Sequence, residues 1–371
     1  MNKPTLLYDA RAITPKPCGV RNVAENYLHE FQNKYNVIAI VNADVDYLIP
    51  PSVKKVISSR HLTRFNPLSD FWISLLVIKY RPEVFFSAHS FIPVFAYLPK
   101  NRVFICHDLF AIFDTKFFNK RGFLAPIARL YFRVLAELSF WRASVVVAPS
   151  DSIRQTFSNL LIKSKKTTTV NNGIALSDEF LASKARIKQV LFVGNFRSYK
   201  GSDILFDAWS RFTLTEGAEN WSLVVVTNEP ESVILDLKQS NNRLSGVSFY
   251  SRIDDVELDR IRKQSSIFIV PSRQEGFGIP LLESIASGGI VICSDIPVFR
   301  ELLKDFDTTF ISTFESENSE HLSTVLIRLA SQLDASDYKR GLEDSNLTNL
   351  AVIRDKYSWK AASDKVMEVL Q

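Results

Sequence analysis

Cysteine is scarce in this chain of 371 residues, which holds only three. Cys18, Cys106 and Cys293 lie far apart, and no two of them have the CxxC spacing of a zinc site. Three widely separated cysteines also provide no framework of disulfide bonds. The sequence therefore predicts neither a zinc site nor a disulfide-stabilised domain, and it favours a reducing compartment.

Long apolar runs are missing as well. The longest uncharged segment, residues 84–98, is too short to span a bilayer and contains His89 and Pro93. The first residues, MNKPTLLYDARAI, carry Asp9 and Arg11 where a signal peptide needs an apolar core. We therefore expect a protein that is soluble or peripheral, and not an integral membrane protein.

The composition is that of an ordinary globular protein, with 46% hydrophobic and 23% charged residues. A chain of this length exceeds one comfortable hydrophobic core, so two domains of roughly 170–190 residues are expected. The polar stretch SDEFLASKARIK, residues 177–188, is the predicted linker between them.

Apolar runs and helical patterns alternate along the chain. The runs predicted to form buried strands are TLLYDA, YNVIAIV, EVFFSA, RVFICHD, SVVVAPS, QVLFVGN, WSLVVVT, GVSFY, IFIVPS and GIVICSD. The helical patterns include residues 21–31, 123–141, 202–212, 255–263 and 280–287. Because the strands are continuously apolar, they are typical of parallel sheets covered on both faces. The sequence predicts an α/β protein with two doubly wound, Rossmann-like domains facing a central cleft, where ligands bind beyond the carboxyl ends of the strands.

Two strand-to-helix loops in the second half carry charged residues beside glycines. In LFVGNFRSYKGSD, Lys200 comes directly before a predicted helix, where a cation and free N–H groups suit a diphosphate. In PSRQEGFGIPLLE, Glu275 precedes a Gly-x-Gly turn and Glu283 lies inside the following helix. A carboxylate at such a site suits sugar or ribose hydroxyls. Alternatively, Lys200 is a solvated surface lysine and both glutamates are exposed acids near a helix start.

Two further loops lie in the first half. KPCGV puts Gly19 just ahead of a helix, and FICHD puts His107 and Asp108 at a strand end. His89 stands at a neighbouring strand end, in FSAHSF. Each histidine also fits a structural hydrogen bond at the end of a strand, so these residues alone decide nothing.

Taken together, these loops resemble a known family. The order of a glycine loop, HDL, NGI, VGN-x4-KG and E-x7-E resembles the retaining GT-B glycosyltransferases of family 4, over nearly the whole chain. EGFGIPLLE is the most specific piece, and SDIPVFREL and YDARAI are similar to bacterial members that assemble O-antigen or capsule repeats, including mannosyltransferases. The resemblance implies an N-terminal acceptor domain over residues 1–180, a C-terminal nucleotide-sugar domain over 181–356, and a last helix, about 357–371, that packs back on the first domain.

The resemblance also implies an activity. It is transfer of a hexose from a nucleotide-sugar, with GDP-mannose or a UDP-hexose as candidates, to a sugar hydroxyl of a lipid-linked or polysaccharide acceptor. The anomeric configuration is retained, and neither a metal nor a cofactor is required. The reaction belongs to the synthesis of cell-surface glycans such as O-antigen, capsule or lipopolysaccharide.

Roles for individual residues follow from the same resemblance. The catalytic candidates are His107, Glu275 and Lys200, with His107 at the transferred sugar, Glu275 on its hydroxyls and Lys200 on the diphosphate. The other donor-binding candidates are Gly19, Asn195, Arg197, Phe277, Gly278, Ile279 and Glu283, of which Glu283 holds the ribose. The candidates on the acceptor side are Arg21, His89 and Asp108.

The sequence departs from the family pattern at two places. Many members have an arginine where Asn195 stands, and Arg197, two residues on, is a candidate substitute. The first loop usually carries a second glycine two residues after Gly19, and here Arg21 occupies that position.

Other functions remain open at this point. A nicotinamide-dependent oxidoreductase would need a GxGxxG after a strand, and none is present. A catalytically inactive partner subunit with the same fold, or a transferase acting on a soluble small acceptor, are the alternatives. Asp44 and Asp46 form a DxD that some transferases use for a metal, but such pairs are common by chance. No nucleic-acid-binding module is recognised.

The charge is uneven along the chain. Residues 1–180 hold 23 lysines and arginines against 13 acidic residues, whereas residues 181–371 hold 22 against 27. Two basic and aromatic segments, residues 54–81 and 116–144, lie in the basic half. Basic residues near an anionic leaflet each contribute about 1 kcal/mol. We therefore expect the N-terminal half to dock on an anionic membrane surface, in the cytoplasm at the inner face of the cell membrane.

Overall fold

The computed structural model describes residues 3–16, 18–58, 67–113, 125–161, 166–176, 186–240, 244, 246–333 and 336–370. The chain divides into two compact units. The N-terminal unit comprises Met1–Gly173 and Ser358–Gln371, and the C-terminal unit is Ile174–Tyr357. The division falls earlier than the boundary expected at residue 180, and most of the predicted linker lies outside the described residues.

The N-terminal unit is built on a parallel sheet. Its strands are β1 (Thr5–Asp9), β2 (Asn36–Asn42), β3 (Lys54–Ser58), β4 (Val84–Ser87), β5 (Asn101–Ile105), β6 (Val145–Ala148) and β7 (Thr167–Thr169). Its helices are α1 (Gly19–Phe31), α2 (Pro67–Tyr80), α3 (Phe110–Phe113), α4 (Ala125–Arg142), α5 (Asp151–Thr156) and α13 (Trp359–Leu370). The strand order is β3-β2-β1-β4-β5-β6-β7, which reverses between β1 and β4.

The C-terminal unit repeats this plan. Its strands are β8 (Ile187–Val193), β9 (Ser222–Thr227), β10 (Val247–Ser251), β11 (Ser265–Val270), β12 (Ile290–Ser294) and β13 (Ile311–Phe314). Its helices are α6 (Ser202–Phe212), α7 (Glu231–Ser240), α8 (Asp255–Gln264), α9 (Ile279–Ala286), α10 (Pro297–Leu303), α11 (Ser319–Gln332) and α12 (Ser336–Lys356). The strand order is β10-β9-β8-β11-β12-β13, with all neighbours parallel, and it reverses between β8 and β11.

Burial on both faces explains why the strands are continuously apolar. In the C-terminal unit one face of the sheet packs under α6 and α11 around the fully buried Trp209, and the other packs under α9 with Leu281 and Leu282. Because helices cover both faces of the sheet, no face contacts solvent, and the strands do not alternate between apolar and polar residues. The predicted fold class, an α/β protein with two Rossmann-like parallel sheets, is confirmed.

Three strands were not predicted from the sequence. They are β3, β7 and β13, and each lies at an edge of its sheet. Edge strands have one neighbour and are only partly buried, as the lysines of β3 and the three threonines of β7 show. Their sequences therefore lack the apolar runs that mark the central strands.

The chain returns to the N-terminal unit at its end. The indole of Trp359, at the start of α13, packs edge-on against the ring of Tyr27 in α1, with 5.7 Å between the ring centroids. A side chain on Gly173 would lie 2.3 Å from the backbone nitrogen of Trp359, so only glycine allows this close approach. Within the described parts of the chain, no helix combines the length and the apolar character needed to cross a membrane.

Candidate active site

The lysine loop follows β8. After Gly194 the chain forms a short 3-10 turn over Ser198–Lys200, and Gly201 then begins α6 with φ of +68°. A Cβ on Gly201 would lie 1.9 Å from the carbonyl oxygen of Pro271, so this position requires glycine for space as well as for conformation. The turn thus holds Lys200 beside the loop that contains Pro271.

That second loop follows β11, the neighbour of β8 at the reversal of strand order. Open parallel sheets bind ligands at such a point, beyond the carboxyl ends of the strands. The loop ends at Gly278, which begins α9 with φ of +103°, and Pro280 lies in the first turn of that helix. The first N–H groups of a helix have no acceptor within it and are available to an anion.

Lys200 and Glu275 form the centre of this site. Lys200 Nζ lies 2.6 Å from Glu275 Oε1, which also accepts a hydrogen bond from Ser272 Oγ at 2.8 Å. The two ionised side chains are only 16% and 10% exposed. Burial opposes the charge on Lys200, but the charge and hydrogen bond of Glu275 outweigh it and raise the pKa of the lysine. Lys200 is therefore a fixed, permanently charged cation at neutral pH.

Only one oxygen of Glu275 takes part in these contacts. Among the described residues no hydrogen-bond partner is found for Oε2. An ionised carboxylate oxygen held in this way can accept a hydrogen bond from a sugar hydroxyl.

Glu283 lies in α9, and its carboxylate is paired. Arg262 Nη2, from α8, donates to Glu283 Oε2 at 2.6 Å, and the two side chains line a small pocket together with Leu191, Phe268 and Pro280. This partner was not predicted, because Arg262 is distant from Glu283 in the chain and belongs to no motif. The arginine fixes the orientation of the carboxylate assigned to the ribose.

The remaining donor-side candidates are spread over both loops. Phe277 is buried against the Tyr357 ring, so its side chain is not available to a ligand. Gly278 and Ile279 begin α9. Asn195 Oδ1 accepts a hydrogen bond from the backbone N–H of Arg197 at 3.2 Å. The Arg197 side chain is exposed and has no ion-pair partner among the described residues. Arg197 is therefore free to reach an anion.

In the N-terminal unit, the loops after β1, β4 and β5 carry the candidates. Gly19 begins α1, is not in the left-handed region, and would meet nothing within 4 Å if it had a Cβ. The fold therefore does not require glycine there. Arg21 is occupied, because it pairs with Glu25 at 2.7 Å and donates to the carbonyls of Thr14 and Pro15. Arg21 thus braces its own loop.

The two histidine loops are joined by a hydrogen bond. His107 is buried, and its Nε2 lies 2.7 Å from the carbonyl oxygen of Ala88, next to His89. A carbonyl only accepts, so Nε2 carries the proton and Nδ1 is an acceptor. His89 is partly buried beside the Phe91 ring. Asp108 Oδ1 accepts the backbone N–H of Phe110 at 3.1 Å, which orders the start of α3.

His107 should make stability depend on pH. Burial lowers its pKa, and the hydrogen bond to Ala88 opposes this only in part. As pH falls through about 6.5, His107 binds a proton in the unfolded chain but not in the folded one. The free energy of unfolding therefore falls by at most about 1.4 kcal/mol per pH unit. In His107→Gln, whose amide can donate to Ala88, the melting temperature should fall less between pH 7.5 and 5.5. Equal falls in both proteins would contradict the buried neutral histidine.

The DxD motif does not form a metal cluster. Asp44 and Asp46 lie in a 3-10 turn after β2, and Asp46 Oδ1 pairs with Lys55 Nζ at 3.0 Å. In the described ranges no group of three or more potential ligands is close enough to hold a metal ion.

Two family models match the chain. The model described as Glycosyl transferases group 1 matches residues 176–338, and the model described as Glycosyltransferase Family 4 matches residues 18–178. With two parallel sheets of the Rossmann type, these matches define the class as glycosyltransferase of the GT-B fold. The chain is thus a glycosyltransferase in which a family 4 domain is followed by a group 1 domain.

Individual relatives agree with this assignment. The O-antigen chain mannosyltransferase RfbU of Salmonella typhimurium is 28% identical over 272 residues, covering 68% of this chain and 69% of the relative. A GDP-mannose:cellobiosyl-diphosphopolyprenol alpha-mannosyltransferase of Komagataeibacter xylinus is 26% identical over 192 residues, 50% of this chain and 48% of the relative. The solved structure of WaaG, a glycosyltransferase involved in lipopolysaccharide biosynthesis, has a TM-score of 0.73 at 16% identity, covering 99% of both chains. That likeness shows the fold.

Proposed function

We propose that this glycosyltransferase moves a hexose, with mannose from GDP-mannose as the first candidate and a UDP-hexose as the second, to a sugar hydroxyl of a lipid-linked glycan of the O-antigen type. The observation that carries the proposal is the Lys200–Glu275 pair at the reversal point between β8 and β11. It places a fixed cation and a carboxylate side by side, as a diphosphate joined to a sugar requires. The names of two relatives, both mannosyltransferases, support the choice of mannose.

The proposed reaction proceeds with retention of the anomeric configuration. The acceptor oxygen forms a bond to the anomeric carbon on the face from which the diphosphate leaves. The bond from that carbon to the diphosphate oxygen breaks, the diphosphate keeps the electron pair, and one of its oxygens takes the acceptor's proton.

The candidates of the two loops in the C-terminal unit have defined roles in this reaction. Lys200, Arg197 and the N–H groups at the start of α9 stabilise the charge that develops on the diphosphate, and such preorganised electrostatics are usually the largest catalytic contribution. Glu275 holds sugar hydroxyls, and Glu283 holds the ribose. No step requires a metal.

A binding screen followed by a transfer assay tests the proposal. Calorimetry with GDP, UDP and dTDP should identify one nucleoside diphosphate that binds, and the matching nucleotide-hexose should be consumed with a lipid-linked acceptor. If none binds, the chain is an inactive partner subunit. If transfer occurs only to soluble sugars, the lipid-linked acceptor is wrong.

The N-terminal unit has an exposed apolar surface that supports membrane docking. The large apolar residues at least 47% exposed on α2, on α4 and in the segment between β4 and β5 are Leu68, Phe71, Leu75, Ile78, Phe95, Tyr97, Ile127, Leu130, Tyr131, Val134 and Trp141. Hydrogen bonds from Phe95 N to Asp70, from Tyr97 N to Ser74 and from Arg142 to the Ala96 carbonyl join the three segments. If α4 packed all of its apolar residues on the sheet, Leu130 and Val134 would be buried, but they are 63% and 50% exposed.

Basic residues accompany this surface. Arg133 Nε on α4 lies 3.8 Å from Glu137 Oε1, and Lys79 is exposed in the last turn of α2. Lys116, Lys120 and Arg121 of the predicted docking segment lie outside the described residues. Apolar side chains flanked by cations suit an anionic bilayer surface, where insertion and charge attraction act together.

Vesicle sedimentation tests the docking surface. Wild type should bind vesicles that contain phosphatidylglycerol at low salt and should be released as salt rises. Leu130→Ser with Val134→Ser should weaken binding at least about tenfold through lost apolar burial, and Arg129→Glu with Arg133→Glu should also release the protein, both without altering nucleotide binding. The matched control is Leu214→Ser with Val256→Ser, which changes 87% and 80% exposed side chains of the C-terminal unit. Equal binding by all four proteins would contradict the docking surface.

A further inference from the structure

The lysine loop, which follows β8, and the loop after β11 that contains Glu275, called the glutamate loop, are in contact through their backbones. The N–H of Arg273 donates to the carbonyl of Tyr199 at 2.8 Å, and Gly201 lies against the carbonyl of Pro271. Tyr199 and Gly201 flank Lys200 in sequence, while Arg273 is two residues before Glu275. The distance between the two functional side chains therefore depends on how firmly these loops are held together.

The Arg273 side chain spans the same junction. Its Nη1 and Nη2 donate to the two oxygens of Asp203, in the first turn of α6, at 2.8 and 2.7 Å. Nη1 also donates to the carbonyl of Ser198, at the start of the lysine turn, at 2.5 Å. A two-point arginine–carboxylate contact fixes orientation as well as distance, which a lysine cannot do. The hydrogen bonds from Arg273 lower the pKa of the Asp203 carboxyl group.

A third loop joins at Arg273. Its Nε lies 3.0 Å from Glu317, which follows β13 and has φ of +69°, in the left-handed region that disfavours side chains. Such a conformation costs about 1 kcal/mol, so an attachment is needed to keep it. Arg273 thus ties together the loops that follow β8, β11 and β13.

We propose that Arg273 is a positioning residue, which holds the lysine turn against the glutamate loop so that Lys200 Nζ stays where the diphosphate is bound. This inference rests on the proposed function of Lys200. Because Arg273 is occupied by Asp203, Glu317 and the Ser198 carbonyl, it acts through Lys200 and not on the phosphate itself. Arg197 remains the second cation for the diphosphate.

The change Arg273→Gln tests the proposal. Turnover should fall about 10- to 100-fold, the range expected when a reacting group is displaced by about 1 Å. Asp203→Asn should reproduce part of the loss, and Arg273→Lys should restore little of it. The matched control is Arg260→Gln, which removes an equally short two-point contact, to Glu257, that lies within α8 alone. Arg260→Gln should keep wild-type turnover.

A double-mutant comparison separates positioning from a purely structural role. Affinity for the nucleoside diphosphate, measured by calorimetry, should fall in Arg273→Gln but should not fall further when Arg273→Gln is added to Lys200→Ala. An equal loss in both backgrounds, or wild-type affinity and turnover in Arg273→Gln, would overturn the inference. If Lys200→Ala itself leaves affinity and turnover unchanged, the proposed function fails instead.

Discussion

Lys200→Ala should lower the rate of sugar transfer about 100- to 1000-fold, the loss typical of removing one preorganised group that stabilises a developing negative charge. The lysine is only 16% exposed and its Nζ is held 2.6 Å from Glu275, so the variant removes a cation that is already in place before the donor binds. Its loss also leaves the 10% exposed Glu275 without its ionic partner, which opposes binding of an anionic donor. Steady-state assays with the nucleotide-sugar identified by the binding screen measure the effect.

The control for this variant is Lys304→Ala. Lys304 is exposed at the C-terminal end of α10 and should be replaceable without effect. Wild-type activity should also survive excess EDTA, because the cation at the diphosphate is a side chain. Abolition by EDTA with rescue by Mg²⁺ or Mn²⁺ would contradict the role of Lys200 and return attention to Asp44 and Asp46.

Glu275 and Glu283 should separate turnover from binding. Glu275→Gln keeps the shape of the side chain but removes the charge beside Lys200 and weakens the hold on the sugar, so it should mainly lower kcat. Glu283→Ala should mainly weaken donor binding, because it removes the ribose contact, and it also takes away the 2.6 Å partner of Arg262. Hydrogen bonds to charged groups contribute roughly 1.5–3 kcal/mol, so each effect should be about ten- to a hundredfold.

Kinetics and calorimetry on the same preparations measure this separation. The matched control is Glu257→Ala, which removes a partly exposed carboxylate that pairs with Arg260 within α8. If both site variants keep wild-type kcat and donor affinity while remaining folded, the loop after β11 is not the donor site.

The fold was largely predictable because strands that are buried on both faces have continuous runs of apolar residues. Central strands such as β8 and β11 lie between two layers of helices and end in the continuous apolar runs VLFV and IFIV. The edge strands β3, β7 and β13 were missed for the opposite physical reason, since solvent on one side permits lysine, serine and threonine. Glycines at Gly201 and Gly278 also revealed their loops, because both have positive φ and closely approach other parts of the chain.

The partners of the site residues were not predictable. Glu275 and Lys200 could be selected from their loops, but their 2.6 Å contact depends on β8 and β11 being neighbours in the sheet. Arg262 and Arg273 gave no signal, because a long side chain that meets a carboxylate distant in the sequence leaves no local pattern. Arg21, a candidate for the acceptor side, has a local partner instead, because Glu25 lies four residues further along the same helix.

The most direct test of the central claim is the anomeric configuration of the product formed in the presence of EDTA. Wild type and the nucleotide-hexose selected by the binding screen are incubated with a lipid-linked acceptor, and the new linkage is assigned by NMR. A retaining transferase that needs no metal should give a product whose anomeric configuration equals that of the donor, formed at an undiminished rate without metal. An inverted linkage, or no product until a divalent metal is restored, would contradict it.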